Sequence, residues 1–171
     1  MPVRQHAAVT DPGRRHRRNE DAYVVDPPLF AIADGMGGAQ AGEIASRIAA
    51  SVLRDSAGRS GAEAIVALIQ EANRRVYESA ATDEARSGMG TTITAAIVED
   101  DAVRIGHVGD SRAYRIRDGR LEQLTDDHSL VAELVRSGKL SPEEADAHPQ
   151  RSVITRVLGS DPDVDVDTFP V

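Results

Sequence analysis

The sequence predicts an α+β domain with a mainly antiparallel sheet and helices laid against it, on three observations. Short β-type runs open the chain after a basic leader, two helical stretches follow, and a series of β runs joined by tight turns comes next. Strand and helix do not alternate, which argues against a doubly wound parallel sheet.

Each element has its own signal. Val24–Val25 and Leu29–Ala33 (LFAIA) read as strands separated by the turn cluster Asp26-Pro27-Pro28; the second is a buried apolar run ending at Asp34 and then Gly35-Met36-Gly37-Gly38. Ile44, Ala45, Ile48, Ala49, Val52 and Leu53 recur at three- and four-residue spacing, the mark of one apolar helix face. A second helix is expected over about Ala62–Ala80, with Ile65, Leu68, Ile69, Ala72 and Val76 on one stripe. The period then changes to strand: Thr91–Val98 and Val103–Val108, joined by Glu99-Asp100-Asp101. Ala113–Arg117 and Leu121–Leu124 flank Asp118-Gly119, a hairpin signal because both turn positions need positive φ. Ser129–Ser137 reads as a helix ending at Gly138, and Ser141-Pro142-Glu143-Glu144 as an N-cap, a first-turn proline and a capping-box acid.

Composition narrows the chemistry. The 171 residues are 40% hydrophobic and 28% charged, with aromatics at only 3%, so one domain over 1–171 is expected, its core built of Ala, Val, Ile and Leu. The absence of cysteine excludes disulfides, thiolate zinc sites and thiol nucleophiles. No apolar run approaches the roughly 20 residues of a membrane helix, and the N-terminus lacks a secretory h-region; a cytoplasmic location with no membrane association is expected. The formal charge of −8, concentrated beyond residue 120, suits hard divalent cations and disfavours nucleic acid as a partner despite the Arg14-Arg15-His16-Arg17-Arg18 run.

Four segments could carry chemistry. Asp34 stands after an apolar strand among glycines that admit close ligand approach, though the same pattern describes a strand-ending Asp in a Gly-rich turn. Asn19-Glu20-Asp21 beside the arginines is either a solvated loop or acids for a cation next to a guanidinium for a phosphate oxyanion. Gly109-Asp110-Ser111-Arg112 reads as a turn whose Asp and Ser bond their own backbone, and Thr125-Asp126-Asp127-His128 as an N-cap ahead of the helix.

The order of these segments is more informative than any one of them. TDPGRRHRRNEDA, FAIADGMGGAQAGEIAS, MGTTITAAIV, GHVGDSRAYRIRDGRLEQLTDDHSL and HPQRSVITRVLG together resemble the metal-dependent protein serine/threonine phosphatases of the 2C type, in their bacterial form. The resemblance implies a sandwich of two antiparallel β-sheets flanked by helices. It also implies hydrolysis of phosphoserine and phosphothreonine in proteins by a water bridging two Mn²⁺ or Mg²⁺ ions. By motif match, Asp34 would bridge both metals with the Gly35 carbonyl beside it, Asp21 and Glu20 would hold metal-bound waters, and Asp110 would serve a third, weaker site. Phosphoproteins and the Ser/Thr kinases that make them are the implied partners. Residues from about 127 to 159 correspond to the family's flap.

Two departures accompany the likeness. The family's phosphate-binding Arg corresponds to His16, a single-point donor that cannot copy a bidentate guanidinium, so phosphate binding is expected to weaken or to shift to Arg15 or Arg17. The chain also ends at Val171, where the family continues to an Asp-Gly and a later Asp-Asn that supply further metal carboxylates. The expectation is therefore a domain incomplete at its C-terminus, a piece of a longer phosphatase with exposed sheet edges. The alternative is a non-catalytic module that binds phosphoproteins or regulators through the same surface.

Overall fold

The computed structural model describes residues 3–14, 18–37, 41–55 and 61–171. In chain order these form β1 (Asp21–Asp26), β2 (Leu29–Met36), α1 (Ala41–Arg54), α2 (Ala62–Thr82), a 3₁₀ turn (Glu84–Arg86), β3 (Gly90–Thr91), β4 (Ile93–Val98) and β5 (Val103–Val108). Then come β6 (Tyr114–Arg117), β7 (Arg120–Gln123), α3 (Leu130–Arg136), α4 (Pro142–Asp146) and β8 (Asp167–Pro170). The main sheet is antiparallel in the order β1-β2-β4-β5-β8, with β3 paired to the end of β2; β6 and β7 make a separate two-stranded sheet.

Side-chain alternation decides which face of the sheet is covered. Leu29, Ala31 and Ala33 of β2 and Ile93, Ala95 and Ile97 of β4 point to one face, where α1 contributes Ala49, Val52 and Leu53, and α2 contributes Ile65, Leu68, Ile69 and Ala72. Burying each large aliphatic side chain here is worth about 1.5–3 kcal/mol. A smaller cluster joins Ala41 and Ala45 of α1 to Val76 of α2 and Met89, with Ile44 and Ile48 against it. Every side chain in these clusters is Ala, Val, Ile, Leu or Met, as the low aromatic content requires.

The apolar run LFAIA departs from its expected burial. Only one of its faces is covered, and Ile32, on the other, is 46% exposed beside Tyr23. The strand also does not stop at Asp34. It continues to Met36, because Gly90–Thr91 pairs with Gly35–Met36 and extends the ladder. For the same reason Thr91–Val98 is not one strand: it breaks at Thr92, whose amide donates to the Asp34 carbonyl (2.9 Å) and whose hydroxyl accepts from the Asp34 amide (3.1 Å).

Other local expectations hold. Asp118 (φ 51°) and Gly119 (φ 73°) make a two-residue turn with both central φ values positive, and Ser141 forms its capping box with Glu144. The N-cap of α3 is Ser129 itself, accepting from the Ala132 amide, and not the four residues before it. No helix among the described residues is long and apolar enough to cross a membrane.

Candidate active site

The acids expected at the site meet at one end of β1 and β2. Asp21 and Asp34 are directly opposed across the two strands, on the face the helices leave open. Like charges in that arrangement repel. Asp34 is pushed up from the ordinary carboxylate value to about 6, first by partial burial in the cleft, then by the charges of Asp21, Asp110 and, least, Glu20. Asp110 is also raised, chiefly by burial.

The backbone around these acids is tightly held. Thr91 Oγ1 donates to the Asp34 carbonyl at 2.9 Å, so Asp34 is fixed on both sides by the Thr91–Thr92 pair. The Gly35 amide donates to the Glu20 carbonyl (3.2 Å), which also accepts from buried Ser46 of α1 (2.5 Å). Gly35 faces Gly42 in the first turn of α1 so closely that a Cβ on Gly35 would strike the Gly42 and Glu20 backbones, and one on Gly42 would strike the Glu20 carboxylate. Helix α1 thus seats the Glu20–Asp21 segment against β2. Asn19 accepts from the Asp21 amide (2.9 Å), and Thr10 Oγ1 donates to Asp21 Oδ2 (3.2 Å).

Two adjoining hollows open on the pair. One, of about 210 Å³, is lined by Asp11, Arg18, Glu20, Asp21, Asp34 and Gly35; the other, of about 270 Å³, by Thr10, Asp21, Ile32, Asp34 and Ser111 among others. A larger cleft of about 540 Å³ lies between the β6–β7 hairpin and α3–α4, and meets the acid cluster only at Asp110.

The structure brings Asp21, Asp34, Glu20 and Gly35 to one hollow with the charge of Asp110 acting on Asp34, while His16, Arg15 and Arg17 lie outside the described residues. Sequence reasoning missed Arg18, the cation on the wall of the first hollow, because the motif match drew attention two residues upstream. It also missed Ser111, whose hydroxyl bonds Thr92 Oγ1 (2.7 Å) rather than its own turn, and the Thr91–Thr92 clamp. Doubled threonines carry no such signal; the clamp exists only across strands.

The donor set is oxygen only, which suits Mg²⁺ and Mn²⁺. A divalent cation between Asp21 and Asp34 would also relieve their repulsion. Among the described residues, no three Asp, Glu or His side chains gather at one point as a complete metal cage. A cation here would take two carboxylates and fill its shell with backbone carbonyl and water, as Mg²⁺ ordinarily does.

Residues 13–157 match the protein phosphatase 2C family. The chain is 42% identical over 175 aligned residues to the serine/threonine phosphatase stp of Listeria welshimeri, covering 95% of this chain and 69% of that protein. Among solved structures, the PPM Ser-Thr phosphatase MsPP of Mycobacterium smegmatis, in complex with cacodylate, superposes with a TM-score of 0.90 at 39% identity, covering all of this chain and 74% of that one. The catalytic domain of the phosphatase PstP in complex with two manganese ions superposes at 0.83 and 34% identity, covering 96% of this chain and 71% of that one. The chain belongs to the protein phosphatase 2C family, alongside its bacterial serine/threonine phosphatases.

Proposed function

We propose that residues 1–171 belong to one phosphatase domain that hydrolyses phosphoserine and phosphothreonine in proteins with the help of divalent cations. The observation that carries this reading is the cross-strand pair Asp21–Asp34, two opposed carboxylates at the mouth of a hollow that also holds Arg18. Asp34, Asp21 and the Gly35 carbonyl would hold Mn²⁺ or Mg²⁺, Glu20 would orient water around them, and Asp110 would serve a further, weaker ion. Such ions, when bound, would supply an activated water and neutralise charge on the phosphoryl oxygens.

The chain's own residues do the rest. The Thr91–Thr92 clamp fixes the backbone of Asp34 in register opposite Asp21. Arg18 meets the phosphoryl oxygens as a guanidinium donor, the task the motif match assigned to position 16. No nucleophilic side chain is required, consistent with a chain that has no cysteine. The phosphoproteins made by Ser/Thr kinases are the substrates this chemistry fits.

The test is phosphate release from a phosphothreonine peptide in millimolar Mn²⁺, for the chain and for Asp34→Asn. Metal-dependent turnover, reduced about a thousandfold in the variant, is expected, since the substitution removes several kcal/mol of cation binding. Turnover that survives Asp34→Asn would overturn the reading, and a folded chain without turnover would be a phosphoprotein-binding module instead.

A further inference from the structure

A second polar assembly, buried at the base of the loop that carries Asp110, has no part in the chemistry proposed above. Its centre is His128, 4% exposed at its side chain. The His128 amide donates to the Gly109 carbonyl (2.8 Å), and the Gly109 amide donates back to His128 Nδ1 (3.0 Å). Since Nδ1 accepts, the ring proton sits on Nε2, where it is donated to Asp167 Oδ2 (3.0 Å). Arg156 Nη1 holds the other carboxylate oxygen of Asp167 at 2.7 Å and the Asp165 carbonyl at 3.4 Å. The Thr155 amide ties down the His128 carbonyl at 2.8 Å. That tautomer satisfies the bonds to Gly109 and Asp167; Arg156 Nη1, also 3.0 Å from Nε2, then gives its proton to Asp167 rather than to the ring.

Gly109 needs such a clip. Its φ of +112° is open to glycine and strained for other residues, and a Cβ there would strike Thr92, the residue that holds Asp34. Glycine is also the least constrained residue of the backbone, so an acid directly after it would be poorly aimed without an anchor. Ser111, on the other side of Asp110, lines the same hollow as Asp34 and Asp21 and bonds Thr92.

We infer that His128 is a positioning residue: held as its Nε2–H tautomer by Asp167, which Arg156 anchors, it clips the amide and carbonyl of Gly109 and so fixes Asp110 beside the Asp21–Asp34 pair. The inference rests on the reading of that cleft as a cation site. It ties the far strand, β8, and the segment through Arg156 to the site without either touching it.

The test uses the full 171-residue chain with Mn²⁺ as the probe, followed by electron paramagnetic resonance, together with NMR of the metal-free protein. His128→Asn keeps an acceptor where Nδ1 stood, whereas His128→Gln moves its polar atoms toward the Nε2 position. Asp167→Asn cannot accept from both His128 and Arg156, which frees the ring to shift its proton to Nδ1. The unsubstituted chain is expected to give the Nε2–H pattern in long-range ¹⁵N spectra and a slowly exchanging Gly109 amide. His128→Asn should keep that slow exchange and bind Mn²⁺ nearly as the parent does. His128→Gln and Asp167→Asn should bind it about tenfold more weakly, the size of effect typical of groups that orient a metal's ligands. Equal Mn²⁺ affinity in the Asn and Gln variants would overturn the inference, as would an Asp167→Asn chain with both tautomer and affinity unchanged. A parent chain that shows the tautomer and the protected amide but binds no Mn²⁺ would instead overturn the cation reading, and the role given to Asp110 with it.

Discussion

Two aspartates on strands of the same sheet carry opposite electrostatics. Asp34 on β2 faces Asp21, with no cationic side chain among the described residues bonded to it, and its carboxyl is pushed up to about 6 by burial and by neighbouring acids. Asp167 on β8 is also partly buried, which alone would raise it, but hydrogen bonds from His128 and Arg156 outweigh that and hold it below the ordinary value. The protein has therefore satisfied one carboxylate completely and left the other under strain. Unsatisfied charge concentrated at one spot marks a place where something else must bind; satisfied charge marks a support.

The largest effect that would break this contrast is catalytic. Arg18→Ala tests whether the cleft binds phosphate as well as metal: KM for a phosphothreonine peptide should rise by roughly tenfold or more, the loss of a charge-assisted hydrogen bond of about 1.5–3 kcal/mol. An unchanged KM would remove Arg18 from the site. Next is Gly35→Ala, whose Cβ would collide with the backbone of α1. A loss of about 3 kcal/mol in urea unfolding is expected, the upper part of the range for overpacking.

Smaller effects sharpen the contrast by their signs. Asp167→Ala leaves the buried His128 Nε2–H without its acceptor and should destabilise the metal-free chain by about 1–3 kcal/mol. Asp34→Asn should do the reverse, raising metal-free stability by about 1 kcal/mol once the solvent access of this exposed side chain is discounted. The two acids also separate by pH. Because the folded-state value of Asp34 lies above its unfolded value of 3.8, its contribution is fully present below pH 3.8 and is lost as pH rises through about 6. Asp167 is held low, so its contribution is present above pH 3.8 and is lost as pH falls below that. Urea midpoints of the Asp34→Asn variant and the parent, measured in chelator, should accordingly converge near pH 4 and part by pH 6.

What was legible in the sequence follows the range of the interactions. Val103–Val108 forms a strand over those very residues, the Asp118-Gly119 turn closes its hairpin, and Ser141 caps α4, because each depends on neighbours in the chain. The apolar stripe of α2 was equally visible, since its spacing is set by the helix itself. The end of β2 and the break at Thr92 were not visible, because pairing between Gly35–Met36 and Gly90–Thr91 decides both. At the site, the acids were found by the order of their motifs. Their supports were not: the partners of His128 lie 19, 28 and 39 residues away, and nothing in Thr125-Asp126-Asp127-His128 distinguishes a tertiary clasp from a helix cap.

The central claim is that the strain between Asp21 and Asp34 exists to be relieved by a divalent cation. Titrating Mn²⁺ into the chain and its Asp34→Asn variant, with free Mn²⁺ read by electron paramagnetic resonance, tests it most directly. Saturable binding by the parent, weakened at least about a hundredfold by the single substitution, is expected. Equal binding by the two chains would contradict it.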